Sequence, residues 1–169
     1  IGCGPGGLIF ELLERGAKHG TGVDISTQMI ERAEELARSK NIMDRVTFNT
    51  GDAATISISA HDIVLLDRTI CCYPYWKPLV DNSLKSARKY YGYSIPRDRG
   101  LIGYLIRVVK SVGNFIISLS GSSFRIYVHP TTSIKQHIES TGFTVIAEGT
   151  TGPWLTVMFE RETRTKYIS

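Results

Sequence analysis

Apolar positions along the chain alternate between helical and extended spacing, and the switches mark out the elements. Leu8, Leu12 and Leu13 share one face of a helix that runs to about Arg15, where Gly16 or Gly20 can stop it. Gly22-Val23-Asp24-Ile25 reads as a short buried strand. Ser26 or Thr27 caps a second helix, with Met29, Ile30, Ala33, Leu36 and Ala37 as its apolar stripe and Glu31, Glu34, Glu35 and Arg38 facing water. Arg45 to Phe48 is a third strand, ending at Gly51-Asp52-Ala53. Asp62 to Leu66 is a fourth; its unbroken Ile63-Val64-Leu65-Leu66 is what a parallel strand covered on both faces requires. A helix from Lys77 to Lys89 and a strand from Tyr90 to Ile95, stopped by Pro96, complete the regular alternation.

After Pro96 the pattern changes. Leu101, Leu105, Val108, Val112, Phe115 (or Ile116) and Leu119 recur at helical spacing, while Arg107, Ser111, Asn114 and Ser118 line the other side. This predicts one amphipathic helix of about 18 residues, too long for a simple connection between strands. It reads as a cap inserted over 97–128, with Phe124 to Val128 as a short extended piece. Thr131 to Thr141 is the next helix, ended by Gly142. Phe143 to Ala147 and Leu155 to Phe159 are two strands that Gly149 to Pro153 can join as a hairpin. Alternating strands and helices predict an α/β fold: a doubly wound, Rossmann-like, mostly parallel sheet with a C-terminal antiparallel hairpin and the helical cap. The length of 169 residues predicts a single domain, 1–169.

Composition is ordinary for a globular chain, with 42% hydrophobic and 21% charged residues. Charge is uneven. Residues 1–76 carry seven basic and ten acidic groups, 77–130 nine and two, and 131–169 four and four. An anionic small substrate, nucleic acid or plain solvated helix faces would each fit the basic middle third. No basic run, zinc-ligand set or aromatic RNA-binding signature accompanies it, so nucleic acid is not expected as a partner. Cys3, Cys71 and Cys72 form neither a disulfide framework nor a metal site, so no metal is expected and a reducing, cytoplasmic home fits. Arg107, Lys110 and Asn114 interrupt the longest apolar stretch, so no membrane span is expected.

Candidate chemistry lies first in Gly2-Cys3-Gly4-Pro5-Gly6-Gly7. Close glycines turn the backbone sharply out of a strand and let a ligand approach where a Cβ would collide, and the helix that follows directs its free N–H groups at the turn. The chain begins inside this motif, so a strand is expected upstream of Ile1. About 20 residues on, Asp24 stands at the tip of the next strand, placed to accept hydrogen bonds from ribose hydroxyls. Together they predict an adenosine-containing cofactor. Spacing alone leaves both G-x-G-x-G and the dinucleotide G-x-G-x-x-G open. On the other side, Asp67 and Arg68 end the fourth strand, where open α/β sheets place ligands, with Cys71-Cys72-Tyr73 following. His129, before Pro130, is the histidine expected nearest the cleft, and Arg97 and Arg125 bracket the cap.

Taken together, Gly2 to Gly7, Val23-Asp24-Ile25-Ser26 with Met29, Ile30 and Ala33, and Gly51-Asp52-Ala53 resemble the first three motifs of the class I S-adenosylmethionine-dependent methyltransferases. Leu66 to Pro74 is similar to the post-strand region of the group containing the magnesium-protoporphyrin O-methyltransferases. The resemblance implies S-adenosylmethionine as cofactor, bound by Gly2, Gly4, Gly6, Asp24, Ile25, Met29, Asp52, Ala53 and Asp67. It implies methyl transfer to a small acceptor, expected to be an oxygen of an anionic molecule held by Arg68, Tyr73, Arg97 and Arg125, with His129 as the candidate base. The alternatives are an NAD(P)-binding oxidoreductase and a cofactor-binding module without turnover.

Overall fold

The computed structural model describes residues 1–119 and 125–162, in two compact units, Ile1–Ile58 and Ser59–Ser169. The first contains α1 (Gly7–Glu14), β1 (Gly20–Asp24), α2 (Thr27–Ser39), a 3-10 turn (Met43–Arg45) and β2 (Val46–Thr50). The two strands pair in parallel, from Gly20 opposite Val46 to Asp24 opposite Thr50. Ser26 caps α2 as expected, its hydroxyl accepting from the Met29 N–H at 3.3 Å. Along the predicted stripe Ile30, Ala33 and Ala37 are buried and Met29 is not. Alanines at the closest approach let the helix lie near the strands, and Ala37 joins Phe10, Leu13 and Val46 in the core. Arg45 closes the end of α1: its guanidinium donates to the carbonyl of Leu13 (3.3 Å), which also accepts from the Gly16 N–H, and to that of Ala17 (2.6 Å) just beyond the helix.

The second unit contains β3 (His61–Asp67), a 3-10 turn (Ile70–Cys72), α3 (Trp76–Ser86), β4 (Ala87–Pro96), α4 (Gly100–Leu119), α5 (Thr131–Glu139), β5 (Phe143–Thr151) and β6 (Trp154–Arg161). Its sheet has the order β3-β4-β6-β5, with β3 and β4 parallel and β6 antiparallel to both neighbours. Tyr91, Tyr93, Ile95, Val157 and Phe159 alternate along β4 and β6 into one core face, joined by Phe143, Ile134 and Ile138. The Tyr91 hydroxyl is satisfied by Ser83 Oγ at 2.8 Å.

Several boundaries differ from those expected. The helix predicted to Lys89 stops at Ser86 because Ala87 pairs with His61 and the chain continues as strand. Arg161 seals that end by donating to the carbonyls of Leu84 (3.3 Å) and Ala87 (2.7 Å), repeating at α3 what Arg45 does at α1. Pro96 is the last residue of β4 rather than a stop beyond Ile95, and stands opposite Trp154. Along β3, Val64 and Leu66 are buried while Ile63 is exposed, so the apolar run is not covered evenly. The hairpin is tighter than predicted: Gly149 lies within β5 opposite Thr156, and only Gly152 and Pro153 form the turn. Phe124 falls outside the described residues, and 125–130 form no strand.

Candidate functional site

The glycine turn is built by close packing on one side and open space on the other. Gly6 caps α1 at φ 87°, where a Cβ would meet the Phe10 ring at 2.8 Å. Gly4, at φ 50°, has nothing within 4 Å of where its Cβ would stand. Both conformations favour glycine, and Gly4 leaves open space beside the turn. The turn is moored to β1 by the Cys3 N–H on the Val23 carbonyl (3.0 Å) and closed by the Gly6 N–H on the Cys3 carbonyl (3.0 Å). Burial pushes the Cys3 thiol up to about 11, so it stays protonated and unreactive at neutral pH.

Asp24 draws the three motifs together. Its Oδ2 accepts from the Gly4 N–H (2.8 Å), its Oδ1 from the Ser26 N–H (3.0 Å), and its carbonyl from the Gly51 N–H (2.9 Å). Each carboxylate oxygen keeps a second lone pair, so the group is oriented by the backbone and still able to accept from a diol. Beside it Ile25 is 67% exposed and Met29 41% exposed. Exposure removes the core role open to Met29 and leaves an apolar pair suited to a planar base. Asp52 turns the chain after β2, its Oδ1 accepting from the Ala54 N–H (2.9 Å), and Ala53 is buried. An open turn, an oriented acid and an exposed apolar pair fit the three parts of S-adenosylmethionine: amino-acid end, ribose and adenine.

In the second unit the residues at the carboxyl ends of β3 and β4 form a linked group. Asp67 accepts from Ser94 Oγ (2.7 Å) and from Arg68 Nε (3.1 Å). The Arg68 backbone sits at φ 54°, donates its N–H to the Ser94 carbonyl (3.1 Å), and carries its guanidinium over the Trp154 ring at 5.8 Å. Tyr73 and His129 meet differently from expectation: the His129 Nε2 donates to the Tyr73 backbone carbonyl at 2.8 Å, and its ring stacks on Tyr127. Burial lowers the His129 pKa, against the opposing pull of the Tyr73 and Ile70 carbonyls. Cys71 is buried, its pKa raised first by its hydrogen bond with Cys72, while Cys72 is exposed.

Arg97 lines a cavity of about 390 Å³ with Tyr93, Arg99, Thr131, Lys135 and Glu148. Tyr93 is 2% exposed, and among the described residues its hydroxyl is the one buried side-chain polar atom without a partner. Arg125 lies half-buried on the segment returning from α4. Sequence reasoning missed Tyr93, Ser94, Arg99 and Trp154. The available signal was the strand alternation that puts Tyr93 on the core face, where a hydroxyl needs a partner.

The fold and the turn define an α/β binder of an adenosine cofactor. The chain belongs to the methyltransferase domain family, whose pattern it matches over residues 1–148. It is a class I S-adenosylmethionine-dependent methyltransferase, an enzyme with S-adenosylmethionine as its cofactor and the mixed α/β Rossmann-like fold expected of that class. Among solved structures it is similar to magnesium protoporphyrin IX methyltransferase from Synechocystis PCC 6803 with bound SAH, at 23% identity and a TM-score of 0.76 over 95% of this chain and 72% of that one. It is also similar to an S-adenosylmethionine-dependent methyltransferase from Clostridium acetobutylicum, at 11% identity and TM-score 0.72 over 96% and 82% of the two chains. The [4+2]-cyclase SpnF shares the fold at 12% identity and TM-score 0.71 over 96% and 73%. No curated protein matches the chain.

Proposed function

We propose that the enzyme methylates an oxygen of a small anionic acceptor. The observation that carries this reading is the cavity beside β4. Of its cations, Lys135 is engaged by Glu148 at 2.7 Å, whereas the Arg97 and Arg99 side chains have no ion-pair partner among the described residues. Of its acids, Asp98 is occupied by Thr131 and Glu148 by Lys135, while Glu139 is exposed. Two guanidiniums and an unpartnered buried hydroxyl are the donor set that a carboxylate calls for, since leaving that hydroxyl unpaired costs about 1–3 kcal/mol. The family match runs through both units, which supports reading them as parts of one methyltransferase domain, and a cytoplasmic setting suits the free thiols.

S-adenosylmethionine, when bound, would supply a methyl group activated by its positive sulfur, with the acceptor oxygen providing the electron pair of the new bond and the sulfur keeping that of the old one. The chain's own contribution is to hold and align the partners. Gly2, Gly4 and Gly6 would surround the cofactor's amino-acid end, Asp24 its ribose, and Ile25, Met29, Asp52 and Ala53 its adenine. Asp67 and Arg68, tied to each other, would serve the mouth together with Tyr73 and Arg125. An ionised carboxylate needs no proton removed. That agrees with a His129 whose Nε2 is committed to a backbone carbonyl, and it makes His129 a positioning residue rather than a base.

The test is methyl transfer from radiolabelled cofactor across carboxylate and phenol acceptors. Arg97→Ala is expected to raise KM more than it lowers kcat, the mark of lost uniform binding. His129→Ala is expected to change kcat less than about threefold, against the 10²–10⁴ typical of a lost base. A neutral best acceptor indifferent to Arg97 would overturn the anionic reading. A large kcat loss with intact cofactor binding would restore His129 as the base. Cofactor binding without transfer would favour the other chemistry that SpnF shows this fold can host.

A further inference from the structure

We propose that α4 docks flat on an anionic lipid surface. Among the described residues Gly100–Leu119 is the one helix long and apolar enough, by length and composition, to cross a membrane, yet only 6% of its apolar window is buried. Its orientation is inverted relative to a core helix. The sector turned toward the protein holds Gly103, which is buried, and Ile106, Lys110, Gly113, Asn114 and Ile117, which are half-buried. The sector turned away holds Leu105, Val109, Val112, Phe115 and Ile116, all exposed, with Val109 at 69% and Phe115 at 64%.

Two contacts fix this orientation. At Gly103 the Asp98 backbone comes so close that no side chain could be accommodated. Asn114 grips the Ile126 backbone in both directions, accepting from its N–H and donating to its carbonyl, each at 2.9 Å. The apolar face is therefore presented outward by construction.

Charge selects the occupant. The helix has no acidic residue; Arg107 stands on its exposed edge beside Ser111 and Ser118, and Arg99 precedes it. A second copy stacked face to face would bring cations to the rim with no carboxylate from either helix to meet them. An anionic bilayer supplies the missing charge, and its interface accepts a helix with one broad apolar face and basic residues along the edge. Arg107, Lys110 and Asn114 at mid-length, the last bound to Ile126, are incompatible with a span.

The experiment is co-sedimentation of the full chain with vesicles of phosphatidylcholine alone or with phosphatidylserine. Binding is expected only with phosphatidylserine and should weaken as salt is raised. Arg107→Gln should weaken it about fivefold, the value of one cation at such a surface. Val109→Glu should weaken it more than tenfold, and Ile116→Ser is a milder companion; both sites are exposed, so an unchanged melting temperature verifies folding. The proposal is overturned by absence of binding to either vesicle, by equal binding to both, by resistance to alkaline carbonate extraction, or by a dimer that Val109→Glu dissociates.

Discussion

Helices α2 and α4 are written with the same period and end up facing opposite ways. In α2 the stripe Ile30, Ala33, Ala37 is buried, and the outer face is laced with ion pairs, Arg32 to Glu35 at 2.8 Å and Arg38 to Glu34 at 3.5 Å. In α4 the stripe is outside, and the inward sector holds Gly103, Gly113 and Asn114 beside Ile106, Lys110 and Ile117. Periodicity specifies that a helix forms and how wide its apolar face is. It does not specify which side the rest of the chain covers. The discriminating information is in the other face: α2 carries charges of both signs there, as a solvated face does, whereas α4 carries small residues that let a backbone approach and no acid at all.

The largest test of this contrast is a pair of truncations. Ile30→Ala in α2 is expected to cost about 2–5 kcal/mol, the range for emptying a buried aliphatic site, while Val109→Ala in α4 should stay within about 0.5 kcal/mol. Denaturant titrations of both variants measure the difference, and comparable losses would mean that α4 is covered. Next in size is the start of α2, which has exposed apolar groups of its own in Ile25 and Met29. If the cofactor covers these, the neighbouring Asp24 is its anchor, and Asp24→Ala should weaken S-adenosylmethionine by about 1–3 kcal/mol in calorimetry. Equal affinities would remove Asp24 from the site.

The smallest effect is a pH dependence in the segment returning from α4. Burial, aided by Lys110 on α4, lowers the His129 pKa below its ordinary value near 6.5. The unfolded chain then binds the proton more readily, so this histidine's contribution to stability is complete above about pH 6.5 and is lost as pH falls through the folded-state value. Stability of the wild type, compared with His129→Gln between pH 7.5 and 5 by chemical denaturation, should show that slope only in the wild type.

How legible each part was follows from what it is made of. The glycine turn is backbone conformation and one acid, so glycine spacing and Asp24 marked its place in the sequence. The mooring of Asp24 by Gly4 and Ser26 was not announced, because backbone N–H groups leave no mark in a sequence. The cavity beside β4 gathers Tyr93, Arg99, Thr131 and Glu148 from four separate segments, and only the fold brings them together. Ala87 to Lys89 read as helix because local propensity is a weak guide where a partner strand competes, and His61 supplied that partner.

Between β4 and α5 the chain makes an excursion that returns to its own starting point. Asp98 closes it, accepting from the Thr131 hydroxyl at 2.6 Å and from the Thr131 N–H at 3.2 Å. The stitch spans 33 positions, so the segment that contains α4 leaves and re-enters the fold at one gate, which Tyr127 and His129 also hold by donating to the Cys71 and Tyr73 carbonyls. Strand register inside the sheet does not depend on what lies beyond that gate, and the entropy of closing such a loop changes only slowly with its length. Descendants of this chain are thus free to lengthen, shorten or replace the excursion as a cassette, altering what the enzyme touches while the catalytic scaffold keeps its shape.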